Sequence, residues 1–154
     1  MKATAGTPMG ADDLAVLTRI GWLFREINVH FREGIDDALR EQKVGLTFSH
    51  VSTLSILNAY PGINGAQLAR RNMVTPQAMT GVLRQLSAKG LLARHAHPEN
   101  QRADSWHLTD KGQKALQRGR AAFAEVTSRM LESLAPADIA RLEGFLKSCA
   151  RSLG

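Results

Sequence analysis

The stretch VTPQAMTGVLRQLSAKGLLAR, residues 74–94, constrains this chain more than any other part of it. Thr75 before Pro76 is a helix start: the hydroxyl accepts from the open N–H groups of a first turn, and proline at the first helical position loses no donor the helix needs. Met79, Val82, Leu83 and Leu86 fall at three- and four-residue intervals and form an apolar stripe. The opposite face carries Gln77, Thr80, Gly81 and Arg84, small or hydrogen-bonding residues that allow another molecule to come close. Gly90 supplies a left-handed residue that ends the helix, and Leu91-Leu92-Ala93-Arg94 reads as a short strand.

The preceding residues give that helix a context. Thr47 caps a helix from Phe48 to about Ala59, with Val51, Leu54 and Leu57 inward and Pro61-Gly62 as its stop. Asn64 caps a short helix over Gly65–Arg71 whose Leu68 and Ala69 face a core, and Asn72-Met73-Val74 leads to Thr75. Two short helices joined by a turn, the second with a polar outer face and a strand behind it, give the order of a winged helix-turn-helix, which presents its second helix to a DNA major groove. Beyond the strand, AHPENQRAD reads as a polar loop and Ser105-Trp106-His107-Leu108 as a returning strand. This is the wing, lined by Arg94, His95, His97 and Arg102, with Trp106 as its packing anchor; an arginine on such a hairpin suits a minor groove.

Charge supports the same reading. The chain carries +6 over 154 residues, and its distribution decides more than its total. Residues 60–120 hold ten basic and three acidic residues, a balance of +7, whereas 1–59 stand at −1 and 121–154 at zero; no acidic residue lies between Glu41 and Glu99. The excess sits on the proposed winged lobe, as an electrostatic footprint for nucleic acid should. One cysteine excludes an intrachain disulfide framework, and with no leader-like start and no apolar run of membrane length the expected compartment is the cytoplasm. No H-E-x-x-H, glycine-rich phosphate loop, G-x-S-x-G elbow or cysteine pair points to an enzyme, and no cofactor is expected.

The expected fold is therefore mainly α with a small β wing, one domain in which the lobe at 46–109 is flanked by long helices. Residues 12–43 read as one helix, with Leu17, Ile20, Phe24, Ile27, Phe31 and Ile35 at helical spacing and Asp12 and Asp13 at its start. It would run about 48 Å, longer than so small a domain needs for itself. Gly21 and Gly34 inside it predict a bend or a close helix approach. Thr109 caps a further helix to about residue 134 bearing Leu116, Phe123, Val126 and Met130, and Pro136 opens a last one bearing Ile139, Leu142, Leu146, Cys149 and Leu153. Met73 and Met79 read as core filling, and Cys149, on an apolar stripe, as a buried inert thiol.

Taken together, Leu46-Thr47, VTPQAMTGVLRQLSAKGLLAR and HPENQRADSWHLTDKG resemble the MarR-type (multiple antibiotic resistance regulator) family of bacterial transcription factors. The resemblance covers the DNA-binding lobe by motif and the outer helices by length and order. It implies a homodimer joined through helices 12–43 and 110–154, two lobes on a palindromic operator, and release by a small phenolic or carboxylate effector. The implied DNA contacts are Asn64, Thr75, Gln77, Thr80 and Arg84 on the two helices, and Arg94, Asn100 and Arg102 on the wing. One departure is clear: where the family shows Asp-x-Arg on the wing, this chain has Asn100-x-Arg102, so the arginine lacks a charge-assisted partner. The effector cleft of relatives lies between the first two helices and the fifth, which points to Trp22, His30 and His50. The peroxide-sensing branch's cysteine near the start of the first helix is missing, and so is an obvious acidic partner of the urate-responsive kind.

Two rivals share these features. A metal-responsive regulator would use His95-x-His97, two residues on one face of a strand, with His107 across the hairpin. An architectural DNA-binding protein would have the same lobe and no effector.

Overall fold

The computed structural model describes residues 10–97 and 100–153, with Ala11 and residues 96, 97 and 100–104 described by their backbone alone. The order is α1 (Ala11–Glu41), α2 (Phe48–Ala59), α3 (Gly65–Arg71), α4 (Pro76–Ala88), β1 (Leu92–His97), β2 (Asn100–Leu108), α5 (Asp110–Leu131) and α6 (Pro136–Leu153). Helices dominate, and β1 and β2 form a two-stranded antiparallel sheet. Among the described residues no helix is long and apolar enough to cross a membrane.

The helix starts lie where the capping chemistry puts them. Thr47, Asn64, Thr75 and Thr109 each accept, through the side-chain oxygen, the backbone N–H three residues on. Gly90 is left-handed at φ +70°, and its N–H donates to the Ser87 carbonyl at the end of α4. The first helix stops at Glu41, two residues short of expectation, because Lys43 turns left-handed at φ +52°. The Lys43 and Val44 amides then close the end by donating to the Arg40 and Leu39 carbonyls.

One core joins the C-terminal third of α1 to the lobe: Ile35 and Leu39 pack with Leu54, Leu57, Leu68, Met79, Leu86 and Leu116. Two glycines of α5 allow close packing. A Cβ on Gly119 would lie 2.6 Å from Val51 Cγ2, so α5 approaches α2 directly; one on Gly112 would lie 2.2 Å from the Leu91 carbonyl oxygen. Gly34 gives α1 its close approach to α5, where a Cβ would meet Val126 Cγ1 at 3.3 Å, whereas Gly21 meets nothing within 4 Å. The N-terminal half of α1 is exposed all round, and α6 has no buried residue.

Three expectations are corrected. Met73 is not core filling: it is 93% exposed and left-handed at φ +54°, a turn position between α3 and α4, while Met79 is buried as expected. Cys149 is exposed in the single chain, because its apolar stripe faces none of the other elements closely enough to be buried. The wing is longer than expected, since pairing runs from Leu92↔Leu108 out to Ala96↔Asp104 and His97↔Asn100 through residues that read as a loop. The outer residues of the ribbon are mostly polar, so they lack the apolar alternation by which a strand is recognised.

Candidate nucleic-acid interface

Helix α4 divides into two faces. Met79, Leu83 and Leu86 are buried, and Gln77, Thr80 and Arg84 are exposed on the other side. A Cβ on Gly81 would meet nothing within 4 Å, so the surface there is open. The helix is held from its start: Thr75 Oγ1 accepts from the Ala78 amide at 3.1 Å, and the Thr80 hydroxyl donates to the Pro76 carbonyl at 2.9 Å. Asn64 serves α3 first, its Oδ1 accepting from Gln67 N at 2.9 Å while Gln67 Oε1 accepts from Asn64 N at 3.3 Å. That reciprocal cap leaves the Asn64 amide NH₂ as its outward donor.

The wing is tied to the helix pair by backbone bonds. Gly62 N donates to the Trp106 carbonyl at 3.1 Å, Trp106 N donates to the Ile63 carbonyl at 3.2 Å, and Asn64 bridges to Ser105. A cavity of about 810 Å³ brings together Asn64, Thr80, Arg84 and Arg94, with Trp106 and Ser87 beside them. Four of the expected contact residues thus share one hollow, and Thr75 and Gln77 stand outside it on the same helix start. Ser87, unmarked in the sequence reading, has a buried hydroxyl with no partner among the described residues. The side chains of Asn100 and Arg102 lie outside the described residues. On α3, the Arg71 guanidinium lies 3.7 Å over the Tyr60 ring, a cation–π contact at the end of the first helix of the pair.

Residues 46–103 match the MarR family model. The HTH-type transcriptional repressor Rv2887 of Mycobacterium tuberculosis is 35% identical over 126 residues, an alignment covering 82% of this chain and 87% of that protein. The chain belongs to the MarR family. The crystal structure of that Mycobacterium tuberculosis MarR family protein in complex with p-aminosalicylic acid superposes with a TM-score of 0.72 at 30% identity, over 84% of this chain and 97% of the other. Its complex with DNA gives 0.70 at 29% identity, over 84% and 95%. A MarR family regulator from Rhodococcus sp. RHA1 gives 0.77 at 21% identity, over 86% and 93%, a likeness of fold.

The three histidine and tryptophan positions singled out in this MarR-family chain are not one site. His50 is buried at the start of α2; its Nδ1 accepts from the Thr47 amide at 3.1 Å and its Nε2 pairs with Gln85 Oε1 at 2.8 Å, so both ring nitrogens are used inside the lobe. Trp22 is 63% exposed, with the Arg25 guanidinium 5.8 Å over its ring. His30 alone lines a hollow, a groove of about 500 Å³ between α1 and α5 with Leu23, Ile27, Phe31, Arg129 and Met130. Its Nδ1 lies 3.6 Å from Glu33 Oε2.

On the wing of this MarR-family chain, the His95 and His107 rings meet edge to face with centroids 5.2 Å apart, and His107 Nε2 is 3.5 Å from Ser105 Oγ. The side chain of His97, the third member of the expected metal set, lies outside the described residues. Among the described residues no group of three metal-ligating side chains converges.

Proposed function

We propose that this protein is a DNA-binding transcription regulator that acts as a repressor, sits as a homodimer on a palindromic operator in the cytoplasm, and is released by a small aromatic or carboxylate effector. The observation that carries the DNA reading is the outer face of α4: Gln77, Thr80 and Arg84 exposed around the open surface at Gly81, on the second helix of the pair. Such side chains reach base edges in a major groove, and the +7 balance of residues 60–120 supplies phosphate attraction. The relative Rv2887 is named a repressor and has been solved with DNA, which supports the same activity here. Asn64 and Thr75 would meet phosphates at the two helix starts, with Arg94, Asn100 and Arg102 following the duplex along the wing.

Dimerisation rests on exposed apolar area at both ends of the chain. Leu17, Phe24 and Ile27 on α1 and Phe145 and Leu146 on α6 are all more than 40% exposed, a combined surface that a single copy leaves wet. A second copy joined through residues 12–43 and 110–154 would cover it and set two lobes at a fixed spacing, as a palindrome requires.

For the effector, the His30 groove offers apolar walls from Ile27, Phe31 and Met130 for an aromatic ring, with His30 and Arg129 to meet a carboxylate; Glu26 also lines it. Of the three expected effector residues only His30 lines this groove; Trp22 and His50 do not. The crystal complexes of Rv2887 with salicylic and p-aminosalicylic acid support this ligand class. Both walls of the groove, α1 and α5, belong to the segments that would set the spacing of the two lobes, which suits release, because a ligand weakens DNA binding only by preferring one arrangement of the lobes.

The test is a fluorescence titration on duplexes selected from a random library, with salicylate present or absent. We expect a palindromic consensus, binding that steepens with falling salt, and weaker binding with salicylate. Equal affinity for selected and scrambled duplexes would overturn the regulator reading. Tight salicylate binding that leaves the DNA isotherm unchanged would favour the architectural rival.

A further inference from the structure

A second hollow lies away from the α4 face, where the end of α1, the end of α4 and the first turns of α5 meet. It encloses about 300 Å³ and is lined by Leu46 and Leu91 at its floor and by Lys89, Lys111, Lys114 and Arg118 around its rim. None of Asn64, Thr80, Arg84 or Arg94 lines it. Lys111, Lys114 and Arg118 follow one another at three and four residues and so share one face of α5, and Lys89 faces them from the C-cap of α4.

Four cations around one small hollow repel one another, and among the described residues none of them pairs with a carboxylate. Two are partly committed. Lys111 Nζ donates to the Lys89 carbonyl at 2.7 Å, and the Arg118 guanidinium donates to the Gln42 carbonyl at 3.0 Å. These bonds fix the rim by tying α5 to the ends of α4 and α1, and they leave further N–H donors on both side chains. Lys89 and Lys114 make no such bond. A concave basic rim above a low-dielectric floor concentrates positive potential, and the floor contributed by Leu46 and Leu91 is buried and apolar. A bulk-solvated charged face would lack that floor.

We propose that this hollow is an anion site for a phosphate monoester with an apolar body. A dianionic phosphate answers several cations at once and accepts from each of them, which a monocarboxylate cannot do as fully. The volume admits a group of about the size of a single ring, near the lower limit of small-molecule pockets. Occupancy would tie the α1 arm to the lobe, since the rim draws on α4 and α5 and the wall on residues 44–46. The same phosphate chemistry is offered by a DNA backbone, and the test separates the two sources.

The probe is phenyl phosphate, titrated calorimetrically at low salt into the full-length protein and into a Lys89→Gln, Lys114→Gln double variant. These two side chains are exposed and hold no hydrogen bond among the described residues, so the variant should melt with the wild type. We expect saturable binding by the wild type, weakened at least tenfold in the variant. Absence of saturable binding, or equal binding by both proteins, overturns the site. If neither protein binds phenyl phosphate and the variant loses DNA affinity with a flatter salt dependence, the phosphate is that of the duplex, and the small-molecule assignment is overturned.

Discussion

His50 Nε2 and Gln85 Oε1 lie 2.8 Å apart, joining the first turn of α2 to the recognition-type helix α4 across 35 residues of sequence. Because Thr47 N–H donates to His50 Nδ1, that nitrogen carries no proton, so Nε2–H is the donor to Gln85. His50→Phe would leave the Thr47 amide without its side-chain acceptor and Gln85 without its donor. We expect a loss of about 1–3 kcal/mol in urea unfolding, and a double-mutant cycle with Gln85→Ala should return a coupling of about 0.5–1.5 kcal/mol. Additive effects would show that the pair does not hold α4.

Gly81→Ala separates stability from binding. The site is helical with open space around it, so alanine should stabilise the fold by about 0.5–1 kcal/mol. The same methyl would stand on the face proposed to meet DNA. A higher melting temperature together with about tenfold weaker operator binding, roughly 1.4 kcal/mol, is expected; unchanged binding would argue against close approach at this helix.

Gly112→Ala and Gly119→Ala should both destabilise, and in a set order. At Gly112 the added carbon meets a backbone carbonyl at 2.2 Å, while at Gly119 it meets the Val51 side chain at 2.6 Å. A side chain can turn aside and a backbone cannot. We expect about 1–3 kcal/mol for Gly119→Ala and more for Gly112→Ala, read as shifts in the denaturation midpoint.

Gln77→Ala and Arg102→Ala should fail differently. Loss of a base-reading amide relaxes preference at one or two base pairs of each half-site, about 1–3 kcal/mol for a bidentate contact. Loss of a wing arginine weakens selected and scrambled duplexes more nearly alike and reduces the salt slope. Titration of both variants on both duplexes at several salt concentrations decides it, and a reversed pattern would overturn the docking.

Analytical ultracentrifugation at micromolar concentration should return about twice the chain mass of 16.8 kDa. Phe24→Asp with Phe145→Asp, both on exposed apolar surface, should return the single mass and lose cooperative operator binding. A wild-type monomer that binds the full palindrome would sink the dimer.

The sequence by itself determined what adjacent residues decide. Thr47, Asn64, Thr75 and Thr109 cap helices, and Gly90 stops one, because a cap is a bond between a side chain and an amide three positions on. The stripe of Met79, Leu83 and Leu86 set the outer face of α4 for the same reason, helical spacing being a local property. Only the tertiary structure decided the relationships between distant segments. It brought Gly119 onto Val51, made His50 a partner of Gln85 rather than a neighbour of Trp22, and paired the polar residues of the wing into a ribbon. It also left Met73 outside and gathered Lys89 with Lys111, Lys114 and Arg118. Such contacts follow from how whole helices pack, and a pattern read along one segment holds no distance to another.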